Sequence, residues 1–121
     1  MQGVFITGTN TDVGKTFIGV AIATALTQRN ITVIPRKPVE SGCTRNDEEL
    51  IPQDAAALRQ AARYQGSLSE VCPYRFEPPI SPVRAARLAE KILTTEQLAN
   101  ICMNGSEQGF LLVEGAGGFY S

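Results

Sequence analysis

Three short apolar runs constrain this chain most: Val4-Phe5-Ile6, Ile31-Thr32-Val33-Ile34 and Phe110-Leu111-Leu112-Val113. None alternates apolar with polar residues. Each reads as a strand covered on both faces, as in a parallel sheet with helices on either side. The segments between them carry helical signals. Residues 14–28 are apolar almost all round (Phe17, Ile18, Val20, Ala21, Ile22, Ala25, Leu26), which predicts a buried helix. Residues 53–64 are rich in alanine around Leu58, a good helix-forming composition. Ser81-Pro82 has the order of an N-cap and a first-position proline, opening a helix to about Lys91. Thr94 and Gln97 have capping-box spacing for a helix ending near Gly105. Strands separated by helices need right-handed crossovers, so the predicted fold is an open parallel α/β sheet with flanking helices. Pro73, Pro78, Pro79 and Pro82 mark an irregular crossover within one domain, since apolar patterns continue on both sides.

With 121 residues, 43% of them hydrophobic, the chain can bury a core but is small for an open α/β sheet. Its third run is followed by a glycine-rich turn, and three strands alone would leave an apolar edge. Residues 1–121 are therefore expected to be the N-terminal part of a single domain that continues with further strands. A net charge of −1 provides no global field for nucleic acid or an anionic membrane. No run reaches the roughly 18 apolar residues that a membrane helix needs. The N-terminus lacks the basic, apolar and small-residue regions of a secretory signal, so a cytoplasmic location is expected. Cys43, Cys72 and Cys102 are scattered and odd in number, and there is no histidine. A histidine-based triad is excluded, and zinc, haem and a disulfide framework lack support.

All three runs end in polar turns marked by glycine: Thr7 to Thr16, Arg36 to Gly42, and Glu114 to Gly118. Ligands of open α/β sheets bind outside the carboxyl ends of the strands, so these distant turns should meet at one site. The first turn ends Gly14-Lys15-Thr16 and opens a helix, the context of a phosphate-binding loop. Backbone N–H groups and the helix N-terminus there can cradle phosphates, Lys15 can meet their charge, and the Thr16 hydroxyl can ligate Mg²⁺. The preceding glycine is Gly8, one place earlier than the common G-x-x-x-x-G-K-[ST] pattern requires. A plain glycine turn with an incidental lysine is the alternative. In the second turn, Lys37 lies between Pro35 and Pro38. It is either a snorkelling surface lysine or a second cation for phosphoryl transfer. Ser41 in the same turn is either a ligand contact or a turn residue. In the third turn, Glu114 ends a strand, as an acid facing a metal on Thr16 would. Asp54 opens a helix, where the macrodipole favours a carboxylate with or without a function.

Five motifs in order, "GTNTDVGKT", "KPVESG", the aspartate of "PQDAAAL", "PYRFEPPISP" and "VEGAGG", resemble dethiobiotin synthase along essentially the whole chain. That family shares the longer glycine spacing of the first loop. It is a P-loop NTPase-like family of ligases in biotin biosynthesis. The resemblance implies ATP-dependent carboxylation and ring closure of 7,8-diaminopelargonate with CO2 (or bicarbonate), giving dethiobiotin, ADP and phosphate through a phosphorylated carbamate. It implies ATP and Mg²⁺ as cofactors, with Asp12, Val13, Gly14, Lys15, Thr16 and Phe17 as the phosphate loop. Thr16, Asp54 and Glu114 would hold the metal, and Glu114, Gly115, Ala116 and Gly117 would line the nucleotide. Lys15 and Lys37 would be catalytic, and Thr11 and Ser41 would contact substrate. Asp12 stands where some members carry Glu. Family members are longer, their further strands supply adenine recognition, and a homodimer is implied. An amidotransferase of cobalamin synthesis type and an inactive nucleotide-binding fragment are the alternatives. A ParA/MinD-like ATPase would carry an extra lysine where this loop reads "GTNT".

Overall fold

The computed structural model describes residues 2–7, 12–77 and 93–115, together with Arg84, Arg87, Leu88 and Lys91. In chain order, β1 (Gly3–Ile6) is followed by α1 (Asp12–Gln28), β2 (Val33–Arg36), β3 (Val39–Glu40), β4 (Thr44–Asn46) and β5 (Glu49–Ile51). Then come α2 (Gln53–Ala61), α3 (Leu68–Val71), β6 (Tyr74–Arg75), α4 (Thr95–Met103), a 3-10 turn (Ser106–Gln108) and β7 (Phe110–Glu114). The fold class is the expected one, a parallel sheet with flanking helices. The sheet has strand order β1-β7-β2, and both pairings are parallel.

Register matters more for the site than strand order. Ile6 lies opposite Glu114, and Arg36 lies opposite Val113. The three strands therefore stop at nearly the same level, and their following turns leave from one edge of the sheet. This is the predicted convergence. It follows from parallel pairing, which leaves all carboxyl ends at the same side.

Strand β7 lies between the other two, and its alternate side chains fill two cores. Leu112 packs with Ile6, Ala23, Val33, Leu58 and Ala62 beneath α1 and α2. Leu111 and Val113 face the other way, with Ile34 and Cys102 of α4. Gly19 allows α1 and α2 to approach closely, because a Cβ built there would lie 2.8 Å from Leu58 Cδ2.

Two expectations of burial are corrected. Helix α1 turns Lys15, Thr16, Gly19 and Ala23 inward but leaves Phe17 75% and Ile18 51% exposed. An all-round apolar sequence does not bury a helix that has the sheet and α2 on only part of its circumference. Strand β1 is likewise half covered, with Phe5 44% exposed. β2 begins two residues later than the apolar run suggests, and it continues through Pro35 to Arg36. Proline is tolerated because, among the described residues, β2 has a neighbour on one side only.

The predicted capping box at Thr94 and Gln97 is present, and Gly105 takes the positive φ of a helix-terminating residue. A second capping box, Ser67 with Glu70, opens α3. Buried Arg36 reaches from the end of β2 to the carbonyls of Ile101 and Asn104 at the C-terminus of α4. A cation there complements the helix dipole, and its guanidinium also lies 5.3 Å from the ring of Tyr64. The three cysteines are free and buried, and burial raises Cys43 and Cys102 to about 11. The helix expected from Ser81 lies mostly outside the described residues, although Arg84, Arg87, Leu88 and Lys91 are helical. Among the described residues, no helix is long and apolar enough to cross a membrane.

Leu112 is fully buried at the centre of the sheet. Leu112→Ala should cost about 2–5 kcal/mol of unfolding free energy, through lost transfer energy and a residual cavity. Urea denaturation measures it, and a loss below that range would show that the site collapses around the truncation.

Candidate functional site

The turn after β7 is the point on which the other two converge. Lys15, in the first turn of α1, donates from Nζ to the carbonyl oxygen of Gly115 at 2.9 Å. Its neighbour Thr16 donates from its hydroxyl to Glu114 Oε2, also at 2.9 Å. Lys37, just beyond β2, donates to the same Oε2 at 2.8 Å. The Lys37 and Glu114 side chains are 1% and 0% exposed, which excludes the snorkelling alternative. Pro35 and Pro38 flank Lys37 and are themselves fully buried.

Glu114 therefore has one oxygen satisfied twice. Its other oxygen, Oε1, is buried and has no hydrogen bond among the described residues. Burial pushes the Glu114 carboxyl above its ordinary value of 4.5, and Lys37 and Thr16 only partly offset this. An uncompensated, acceptor-only oxygen beside a hydroxyl is a donor set that suits a hard cation such as Mg²⁺.

Asp54 is half-buried in the first turn of α2, near enough that its charge raises both Glu114 and Glu40. The structure thus brings Lys15, Thr16, Lys37, Asp54, Glu114 and Gly115 into one neighbourhood. Among the described residues, no three His, Cys, Asp or Glu side chains are grouped closely enough to hold a metal by themselves. Two carboxylates and a hydroxyl would have to share an ion with phosphates and water, the usual Mg²⁺ arrangement. Ser41 is half-buried in the turn after β3, next to Gly42 with φ of 70°. Gly14 is exposed, and Phe17 points to the outer side of α1. Asp12 and Val13 open α1, but their side chains, with Thr11, Ala116 and Gly117, lie outside the described residues.

Two buried charges were not singled out from sequence. Nothing in the sequence marks Arg36 for burial until α4 is placed over it. Glu40 accepts from the backbone N–H groups of Asp54 and Ala55 at 3.0 and 2.9 Å. Its only sequence signal is an acid inside "KPVESG", within reach of an uncapped helix start that the sequence does not reveal. A groove of about 730 Å³, lined by Thr27, Asn30, Thr32, Arg63 and Tyr64, lies at the opposite, amino end of the strands. It contains none of the converging residues.

The family model for an AAA domain matches residues 2–121. The chain belongs to that family. Curated relatives agree with the resemblance carried by the five motifs. The chain is 38% identical over 119 residues to the ATP-dependent dethiobiotin synthetase BioD of Cellvibrio japonicus, covering 98% of this chain and 52% of the relative. It is 39% identical over 121 residues to that of Vesicomyosocius okutanii, covering 100% and 54%. The same protein of Ruthia magnifica is 37% identical over 121 residues, covering 100% and 55%. The chain spans about half the length of the curated relatives it matches.

Removing one member of a buried ion pair strands the other, so Lys37→Met should cost about 3–5 kcal/mol at pH 7, and Lys37→Met with Glu114→Leu should recover most of it. The single variant loses a cation that lowers the Glu114 pKa, so that pKa rises further. An acid raised above its unfolded value contributes stability below that value, and the contribution is lost as pH rises through the folded pKa. The gap between Lys37→Met and the parent should therefore narrow as pH falls towards 4.5. Urea melts across that range check the sign, and a gap independent of pH would contradict it.

Proposed function

We propose that this chain supplies the phosphate, metal and carboxylation machinery of an ATP-dependent dethiobiotin synthetase, and that residues 1–121 form that part of a single α/β domain. The observation that carries the proposal is the convergence of Lys15, Thr16 and Lys37 on Glu114 and Gly115. The relatives are named for ATP and for the product dethiobiotin, and the motif resemblance implies the substrates. One amine of 7,8-diaminopelargonate adds to CO2, giving a carbamate and releasing a proton. A carbamate oxygen attacks the γ-phosphorus of ATP, and ADP leaves. The second amine then attacks the mixed anhydride at carbon, closing the cyclic urea of dethiobiotin, expelling phosphate and releasing a proton.

Each step gathers anions and consumes little acid–base chemistry, so cations fixed in advance suit it better than a titrating base. Lys15 would meet the phosphate chain from the helix N-terminus. Lys37 would exchange its buried carboxylate for the carbamate and the transferring phosphoryl group. Thr11 and Ser41 would orient the substrate, and Asp12 to Phe17 with Glu114 to Gly117 would line the nucleotide. Mg²⁺ would be held by Thr16, Asp54 and Glu114 and would neutralise phosphate charge when bound. The proposal includes a homodimer, which the resemblance implies, and the cytoplasmic location expected from the sequence.

The test incubates the intact protein with ATP, Mg²⁺, diaminopelargonate and bicarbonate and seeks dethiobiotin by mass. ATP consumption without that product contradicts the substrate assignment. Lys37→Ala should lower kcat by about 10²–10³. It is compared where the variant still binds nucleotide, since the substitution also costs stability. Normal turnover would remove the role given to Lys37.

A further inference from the structure

Helix α2 begins without a cap of its own. Its N-cap residue is Pro52, which supplies no side-chain hydrogen bond. The first turn of a helix leaves N–H groups that need partners, and here the partner comes from a different element. Glu40, at the end of β3 and 4% exposed, places Oε2 on the N–H of Asp54 at 3.0 Å and Oε1 on that of Ala55 at 2.9 Å. Both oxygens of one buried carboxylate are used, and they fix the backbone of the residue that carries the Asp54 side chain.

The same short segment also fixes Lys37. From Lys37 to Glu40 the chain runs through buried Pro38 and Val39, and β3 is paired with β6 through Val39↔Tyr74 and Glu40↔Arg75. One end of this segment is bonded to Glu114 of β7, and the other to the start of α2. Among the described residues, no side-chain hydrogen bond holds the Asp54 carboxylate, so its placement depends on the backbone that Glu40 grips. The geometry points to Glu40 as a positioning residue, one that sets Asp54 against Glu114 and Thr16 so that the two acids can share a divalent cation. Glu40 itself is spent on two amides and is not a ligand.

This inference rests on the Mg²⁺–nucleotide reading above. Its test uses a non-hydrolysable ATP analogue and the intact protein, with affinity measured calorimetrically with and without Mg²⁺. The ratio of the two affinities reports the metal site, whereas the metal-free affinity reports the phosphate loop. Glu40→Ala should cut the Mg²⁺-dependent gain about 10-fold, as loss of a partner that orients a ligand does, and leave the metal-free affinity unchanged. Glu40→Gln, which keeps the volume and one acceptor oxygen, should retain part of the gain. If Glu40→Ala does not fold, Glu40→Gln alone decides, and a several-fold smaller gain supports the role. A helix cap with no other role would lower the melting temperature and leave the ratio intact, which overturns the inference. No Mg²⁺ gain in the parent protein would overturn the metal reading and this one with it. A full gain in both variants would overturn the role of Glu40 alone.

Discussion

The buried contact between Lys37 and Glu114 organises this molecule. Two opposite charges, neither reachable by solvent, meet at 2.8 Å where β2 and β7 end. Desolvating such a pair is costly, and a stability argument alone would favour apolar residues there. What the pair provides is position. It brings the turn after β2 against the turn after β7, and Thr16 on the same carboxylate oxygen adds the turn after β1. Parallel pairing with level strand ends makes this possible, because Ile6 lies beside Glu114 in the register.

The pair also explains how a small set of residues can await a highly charged ligand. Lys15 and Lys37 are both committed to the third turn, one to a carbonyl and one to a carboxylate. Lys37 is balanced by Glu114 and Lys15 is held by a neutral carbonyl, while Glu114 keeps one buried oxygen without a hydrogen bond. A nucleotide arriving with a divalent cation would supply anions to the lysines and a cation to that oxygen at once. In that exchange Lys37 and Glu114 would each trade one opposite charge for another, which limits the cost of separating the buried pair.

Much of this was legible in the sequence because apolar runs and glycine-marked turns report directly on buried parallel strands and their ends. Lys15, Thr16, Lys37 and Glu114 each sit immediately after such a run or at a helix start, and topology alone brings them together. The errors came from properties that depend on neighbours. Phe17 and Ile18 look like core residues by composition, but burial is decided by what packs on the far side of α1. Glu40 and Arg36 carry no sequence signal of burial because their partners, the start of α2 and the end of α4, are distant in the chain. Short pieces such as β3, β4, β5 and β6 carry too few residues for a periodic signal.

The most direct measurement is the structure of the intact protein with Mg²⁺ and a non-hydrolysable ATP analogue. Phosphates should lie on the first turn of α1, within reach of Lys15, with the cation on the side of Glu114 that carries Oε1. Phosphates bound elsewhere, for instance in the groove between Thr27 and Tyr64 at the amino end of the strands, would contradict it.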